Sequence, residues 1–238
     1  MASVNAGLLC PNRSCTTLSI EFVWKGADGV PHSRRPEMSE KGLNFGPPVP
    51  TTGHQVAFFS AWLRATAKES ADWFSELSKR NEETVLVEAI RQEFPYIDGL
   101  SVETYSGQSM IYAKVRGLRE KLPLGMVSDG LSRILHILLG IVSRPHGVVL
   151  VDEIENGLYY DTLPGIWSML LRFCRTQNVQ LFASTHSREC IKAFGEVIEE
   201  RPEEACLIRA TRENGECTLR RFEGKDLISA VGLEFEVR

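Results

Sequence analysis

The sequence predicts an α/β fold: a mostly parallel sheet flanked by helices, with β-hairpins attached. Three observations carry that expectation. Val148–Val151 (VVLV) and Val179–Ala183 (VQLFA) are short aliphatic runs of the kind that parallel strands bury on both faces. Between them lies a helix entered through Pro164, whose apolar positions Leu163, Ile166, Trp167, Leu170, Leu171 and Cys174 recur at helical spacing. Ser184-Thr185-His186-Ser187 then caps a second helix, completing a strand-helix-strand-helix unit from Val148 to Phe194. Short crossovers of that kind make the two strands parallel.

Composition bounds the answer. The chain has 238 residues, 43% hydrophobic and 24% charged, which is ordinary for a globular protein able to bury a sizeable core. A net charge of −4 gives no basic field for nucleic acid. The single basic cluster, His32–Arg35, is short enough to be a solvated loop. The longest apolar run, Ile134–Val142, is broken by His136 and Gly140, well short of the roughly 20 residues a membrane span needs. Met1–Cys15 has no signal-peptide pattern. Cys10, Cys15, Cys174, Cys190, Cys206 and Cys217 form no C-x-x-C pair, so reduced thiols and a cytoplasmic location are expected.

Taken in order, residues 1–53 read as an irregular segment with one candidate strand, Leu18–Trp24, followed by a glycine- and proline-rich loop over Gly26–Pro50. Residues 54–121 read as a helical pair plus a β-hairpin. Phe59, Trp62, Leu63, Thr66, Trp73, Phe74 and Leu77 suggest an amphipathic helix of about five turns. A second helix spans Glu82–Phe94 and ends before Pro95. Leu100–Tyr105 and Met110–Val115 then flank a turn at Ser106-Gly107. In residues 122–238, Leu131, Ile134, Leu135, Leu138, Leu139 and Val142 mark a helix with a wide apolar face, with Ser128 or Asp129 as its N-cap. After the 148–194 unit, Ala205–Ala210 and Cys217–Phe222 form a second hairpin through Glu213-Asn214-Gly215.

Chemistry concentrates at VVLVDEIENG, Val148–Gly157. A buried strand closed by Asp152 and Glu153 delivers two carboxylates to the carboxyl edge of a sheet, where α/β folds bind ligands. His186 follows the neighbouring strand about 30 residues later, beside those acids. Ser128-Asp129-Gly130 stands at a helix start about two dozen residues before them, where free N–H groups suit an anion. The acids alone also fit a metal-dependent nuclease using Asp152, Glu153 and Glu155.

Strand-plus-acids, helix-start serine-glycine and strand-end histidine occur in the order and spacing of ABC-like AAA family ATPases. From about Phe58 to Arg238 the chain resembles the C-terminal part of that group, which is related to chromosome-structure, DNA-repair and bacterial defence ATPases. The two helices before the first hairpin and the closing GLEFEVR look like the group as well. The resemblance implies a P-loop NTPase-like sheet and assigns roles. Asp152 would be the Walker B acid for Mg2+ and Glu153 the general base. His186 would sense the terminal phosphate of ATP. Ser128, Asp129 and Gly130 would form the signature that reaches the nucleotide of a second subunit, and Asn156-Gly157 the loop at the dimer face. Tyr159-Tyr160 replace the His-Pro often found after that loop, and Arg133 is expected to neutralise Asp129.

One part of the pattern is missing. No G-x-x-x-x-G-K-S/T occurs in these 238 residues, so the loop that cradles phosphates and its strand are absent from the sheet. The resemblance sets that strand beside Val179–Ala183. Its absence leaves an apolar edge to be covered by Leu18–Trp24, by Ala205–Ala210 or by a partner. The expected function is therefore ATP binding and hydrolysis as one half of an ATPase, weak alone, with a homodimer or a P-loop-bearing chain as partner. The alternative is a non-catalytic interaction module or truncated product that pairs with such an ATPase.

Overall fold

The structure is a computed structural model, and it describes residues 2–7, 19–25, 31–34, 37–39, 42–44, 55–62, 66–213 and 216–232. The chain divides into two compact units, Met1–Gly53 and His54–Arg238.

In the first unit, β1 (Ala2–Gly7), β2 (Ser19–Lys25) and β3 (Pro31–Arg34) form an antiparallel sheet in that order, and β4 (Glu37–Ser39) pairs with β5 (Gly42–Asn44). The candidate strand at Leu18–Trp24 thus lies where β2 forms. Three short strands also interrupt the stretch expected as loop, since proline is tolerated at strand starts and edges.

The second unit is built on a three-stranded parallel sheet. β6 (Val56–Phe59) pairs with β10 (Val148–Val151), which pairs with β11 (Gln180–Ala183). Ahead of β10 come α1 (Ala67–Lys79), α2 (Glu83–Glu93), β7 (Ile97–Tyr105), β8 (Gln108–Val115), β9 (Leu122–Pro123), α3 (Leu124–Val127) and α4 (Asp129–Val142). α5 (Leu163–Gln177) crosses from β10 to β11. α6 (Arg188–Val197), the antiparallel hairpin β12 (Cys206–Glu213) and β13 (Glu216–Glu223), and α7 (Gly224–Gly232) complete the order. The expected turn at Asn214-Gly215 and the residues after Gly232 lie outside the described residues.

The expected five-turn helix from Phe59 is corrected. Val56-Ala57-Phe58-Phe59 alternates exposed and buried, the period-2 signature of a strand, and the helix begins only at Ala67, capped by Thr66 Oγ1. The aromatic stripe nevertheless has one job. Phe59 packs edge-on to His136 at 5.0 Å, and His136 stacks on Trp73 at 4.8 Å. The loop Ser106-Gly107 has φ of 51° and 78°, the pair of positive angles that a tight two-residue hairpin turn requires.

α4 organises the core. Leu131, Ile134, Leu135, Leu138 and Leu139 are fully buried, each stabilising the fold by about 1.5–3 kcal/mol relative to exposure. Gly140 faces the Phe59 ring, and a Cβ there would overlap the ring carbons. β11, in contrast, pairs with β10 alone among the described strands, with Phe182 48% exposed. Among the described strands of this unit, β12 pairs with β13 and does not extend the sheet at β11.

Candidate active site

The parallel register builds the site. Val151 stands opposite Ala183, so the next residues on each strand, Asp152 and Ser184, leave the sheet side by side. Ser184 N–H donates to the Val151 carbonyl at 2.9 Å, and Ile154 N–H donates to the Ser184 carbonyl at 3.1 Å. The Ser184 hydroxyl donates to Asp152 Oδ1 at 2.7 Å and accepts the Glu153 N–H at 2.9 Å. On the other flank, Asp152 N–H donates to the Phe59 carbonyl at 2.8 Å. Both acids are half-buried at the carboxyl edge of the sheet.

Glu153 adopts φ of 47°. The left-handed region is uncommon for a non-glycine residue, and such outliers collect at functional sites where the surroundings over-determine them. The surroundings here are specific. Arg133, from α4, donates through Nη2 to the carbonyls of Asp152 at 2.5 Å and Glu153 at 3.1 Å, and through Nη1 to the Ser60 carbonyl at 3.2 Å. Asn156 N–H also donates to the Glu153 carbonyl at 2.9 Å. Burial pulls the Arg133 guanidinium below its ordinary pKa, while the carboxylates of Asp152, Glu153 and Glu155 pull it back.

This corrects the expected role of Arg133. Its hydrogen bonds go to the main chain below the acid pair rather than to Asp129. The long side chain reaches past the first turn because α4 packs its Leu131 and Ile134 face onto the sheet, carrying residue 133 over the β10 end.

At the helix start, Ser128 is the N-cap of α4, its Oγ accepting from Leu131 N at 3.2 Å. Asp129 is exposed in the first turn, and Gly130 is buried. Gly130 lies directly under the Asn156-Gly157 loop: a Cβ at 130 would overlap the Gly157 carbonyl oxygen, and Gly157 turns with φ of 79°. The signature-like helix start and the loop after the acids therefore touch within one chain. Asn156 Nδ2 reaches the Ala61 carbonyl at 3.4 Å.

His186 sits three residues beyond β11 with its ring exposed, and its main-chain N–H donates to Glu155 Oε1 at 2.9 Å. Asp152, Glu153, Ser128, Asp129, Gly130, Asn156, Gly157 and His186 thus all belong to the loops that leave β10 and β11 or to the α4 start. Sequence reasoning missed Ser184 and the Glu155 link. The signal was available: once the two aliphatic runs are aligned as parallel neighbours, residues 152 and 184 face each other.

Among the described residues, no group of three or more His, Cys, Asp or Glu is disposed to hold a metal ion. No helix among them is long and apolar enough to cross a membrane.

Residues 44–191 match the family model described as "AAA domain, putative AbiEii toxin, Type IV TA system". The chain belongs to this family. The matched segment runs from β5 through β6, the acid pair and the His186 loop into α6, so all the residues above fall within the AAA domain. Membership points to function of the ATPase, P-loop NTPase kind. A Helicobacter pylori protein described as an ATP/GTP phosphatase is 30% identical over 101 residues, which are 41% of this chain and 27% of that relative. The AAA chain therefore spans about a quarter of that protein's length. Among solved structures, the SMC head domain from Thermotoga maritima is similar, with 15% identity, 86% of this chain and 74% of that chain covered, and a TM-score of 0.45. The Smc head domain with an extended coiled coil from Pyrococcus furiosus, bound to the C-terminal domain of ScpA, has 16% identity, 68% and 42% coverage and a TM-score of 0.41. Scores this low leave the fold description to rest on the sheet topology itself.

Proposed function

We propose that this chain is the signature-and-Walker-B part of an ABC-like ATPase that binds and hydrolyses ATP with Mg2+ when a P-loop is supplied by residues outside these 238. The observation that carries the reading is the alignment of two strand ends: Asp152-Glu153 after β10 and Ser184 to His186 after β11, with the α4 start packed beside them.

Roles follow from chemistry. Asp152 follows β10 directly and accepts the hydroxyl of Ser184 at the end of β11, suited to a cation held chiefly by phosphate oxygens and water, as Mg2+ prefers. Such an ion would neutralise charge on the transferring phosphoryl group. Glu153 is the general base that takes the proton of the attacking water. His186, exposed on its loop, contacts the terminal phosphate. The first-turn amides of Asp129 and Gly130, with the Ser128 hydroxyl, offer donors to a nucleotide on a second subunit. The partner is a second copy or a P-loop-bearing chain, and the location is cytoplasmic.

The test is nucleotide binding and turnover by the 238-residue chain alone and after mixing with a chain carrying G-x-x-x-x-G-K-S/T. Weak binding and little hydrolysis alone, turnover in the mixture and its loss with Glu153→Gln are expected. Turnover by the chain alone, abolished by Glu153→Gln, refutes the need for an outside P-loop. A second reading, a non-catalytic interaction module, is favoured by the lack of a phosphate cradle in the sequence; a mixture that associates but never binds ATP would establish it.

A further inference from the structure

We infer that Ser184 is a positioning residue for both carboxylates, coupling the loop that carries His186 to the Asp152-Glu153 turn. The inference rests on the ATPase reading above and adds to it a residue with a defined role.

A serine hydroxyl has one proton to give and lone pairs to accept with, and Ser184 uses both on the acid pair. Its O–H donates to Asp152 Oδ1 at 2.7 Å, fixing the rotation of that carboxylate. Its Oγ accepts the Glu153 N–H at 2.9 Å, holding the peptide between the two acids. That peptide leads into the left-handed Glu153, at φ of 47°. A carboxylate side chain does not select this conformation on its own, and besides the local bond from Asn156 N–H to the Glu153 carbonyl the turn is held from outside. Arg133 grips the two carbonyls from the α4 side, and Ser184 grips the amide from the β11 side.

Ser184 is also the last rung of the ladder between β10 and β11, through its main-chain bonds to Val151 and Ile154. Its side chain is thus fixed at the base and reaches one residue further along the neighbouring loop. Only Thr185 separates it from His186, whose N–H is tied to Glu155 Oε1 at 2.9 Å. A displacement of His186 on contact with phosphate therefore pulls on Ser184 and Glu155 together. Both pulls arrive at the turn that aims the general base.

The experiment compares wild type, Ser184→Ala and Ser184→Thr. In the 238-residue chain, NMR amide exchange is read at Glu153, with Ile154 as the internal control because its N–H bonds to the Ser184 main chain. Ser184→Ala should speed Glu153 exchange about tenfold or more and leave Ile154 unchanged; Thr, which keeps the hydroxyl, should restore the slow rate. In the mixture with a P-loop-bearing chain, Ser184→Ala should lower kcat by about 10–100-fold, the usual effect of removing a group that orients metal or catalytic ligands. It should also raise the Mg2+ needed for half-maximal rate and leave KM for ATP little changed, with rescue by Thr. Unchanged Glu153 exchange, a Thr variant as impaired as Ala, or a Ser184→Ala complex with wild-type kcat each overturns the inference. No turnover by the wild-type mixture refutes the ATPase reading instead, and the exchange data then still decide whether Ser184 holds the Glu153 turn.

Discussion

Acid should destabilise this protein through one residue, His136. Its ring is stacked on Trp73, edge-on to Phe59, with Nδ1 2.9 Å from Ser70 Oγ and the Arg144 guanidinium over the far face of the cluster, 4.7 Å from the Trp73 ring. Burial first, and the positive charge of Arg144 second, push the imidazole down from its ordinary 6.5 to about 4. Between those values the unfolded chain binds a proton that the native state refuses, so stability falls as pH drops from about 6.5 to about 4 and is flat above that window. At about 1.4 kcal/mol per pH unit, the interval sets a ceiling of about 3 kcal/mol. The partial exposure of the ring reduces this to about 2 kcal/mol. Carboxyls also contribute to acid sensitivity, including Glu103 and Glu204, which are held low by Lys121 and by Arg175 and lose those interactions when protonated. The measurement is therefore a difference. Urea unfolding of wild type and His136→Phe, which keeps a ring on Trp73, is followed from pH 7.5 to 4. The gap between the two curves should shift by about 2 kcal/mol in favour of the variant as pH falls. Parallel curves would refute a buried neutral imidazole.

Three further outcomes follow from the geometry. Gly130→Ala should lower stability by about 1–3 kcal/mol, because its methyl group displaces the Gly157 carbonyl; calorimetry reads this as a lower Tm. Arg133→Met should cost about 2–3 kcal/mol by leaving carbonyls at Ser60, Asp152 and Glu153 without their charged donor, and denaturant titration checks it. Glu153→Val should be about 1–2 kcal/mol less stable than Glu153→Gln, since a β-branched residue at positive φ is strained; similar midpoints for the two variants would count against the left-handed turn.

The parallel unit was legible because VVLV and VQLFA differ so sharply from the polar turns around them, and the helix between them keeps a clean period over Leu163 to Cys174. The start of α4 was legible for the same local reason, with Ser128 and Asp129 both fit to cap it; the structure gives that place to Ser128. The strand at Val56–Phe59 was hidden: Phe59 also fits a helical stripe shared with Trp62 and Trp73, and pairing with β10 decides between them. His136 looked like a break in an apolar run, yet it is neutral and packed among aromatics, so tertiary contact removed the charge that made it look polar. Arg133 was assigned to the nearest acid along the helix. The fold instead carries it across to the main chain of a different element, which no local pattern encodes.

The contact between Gly130 and the Gly157 carbonyl has a mechanical consequence. α4 is a rod of 14 residues, about 21 Å long at 1.5 Å per residue. Its front end abuts the loop that follows β10, and its back end runs through the turn at residues 144–147 into the start of β10. Rod, strand and loop thus form a closed linkage, with Phe59 lying against Gly140 near the back end of the rod. The Asn156-Gly157 loop therefore bears directly on the front end of the helix, so that a displacement of the loop towards Gly130 meets helix backbone rather than a side chain that could rotate away.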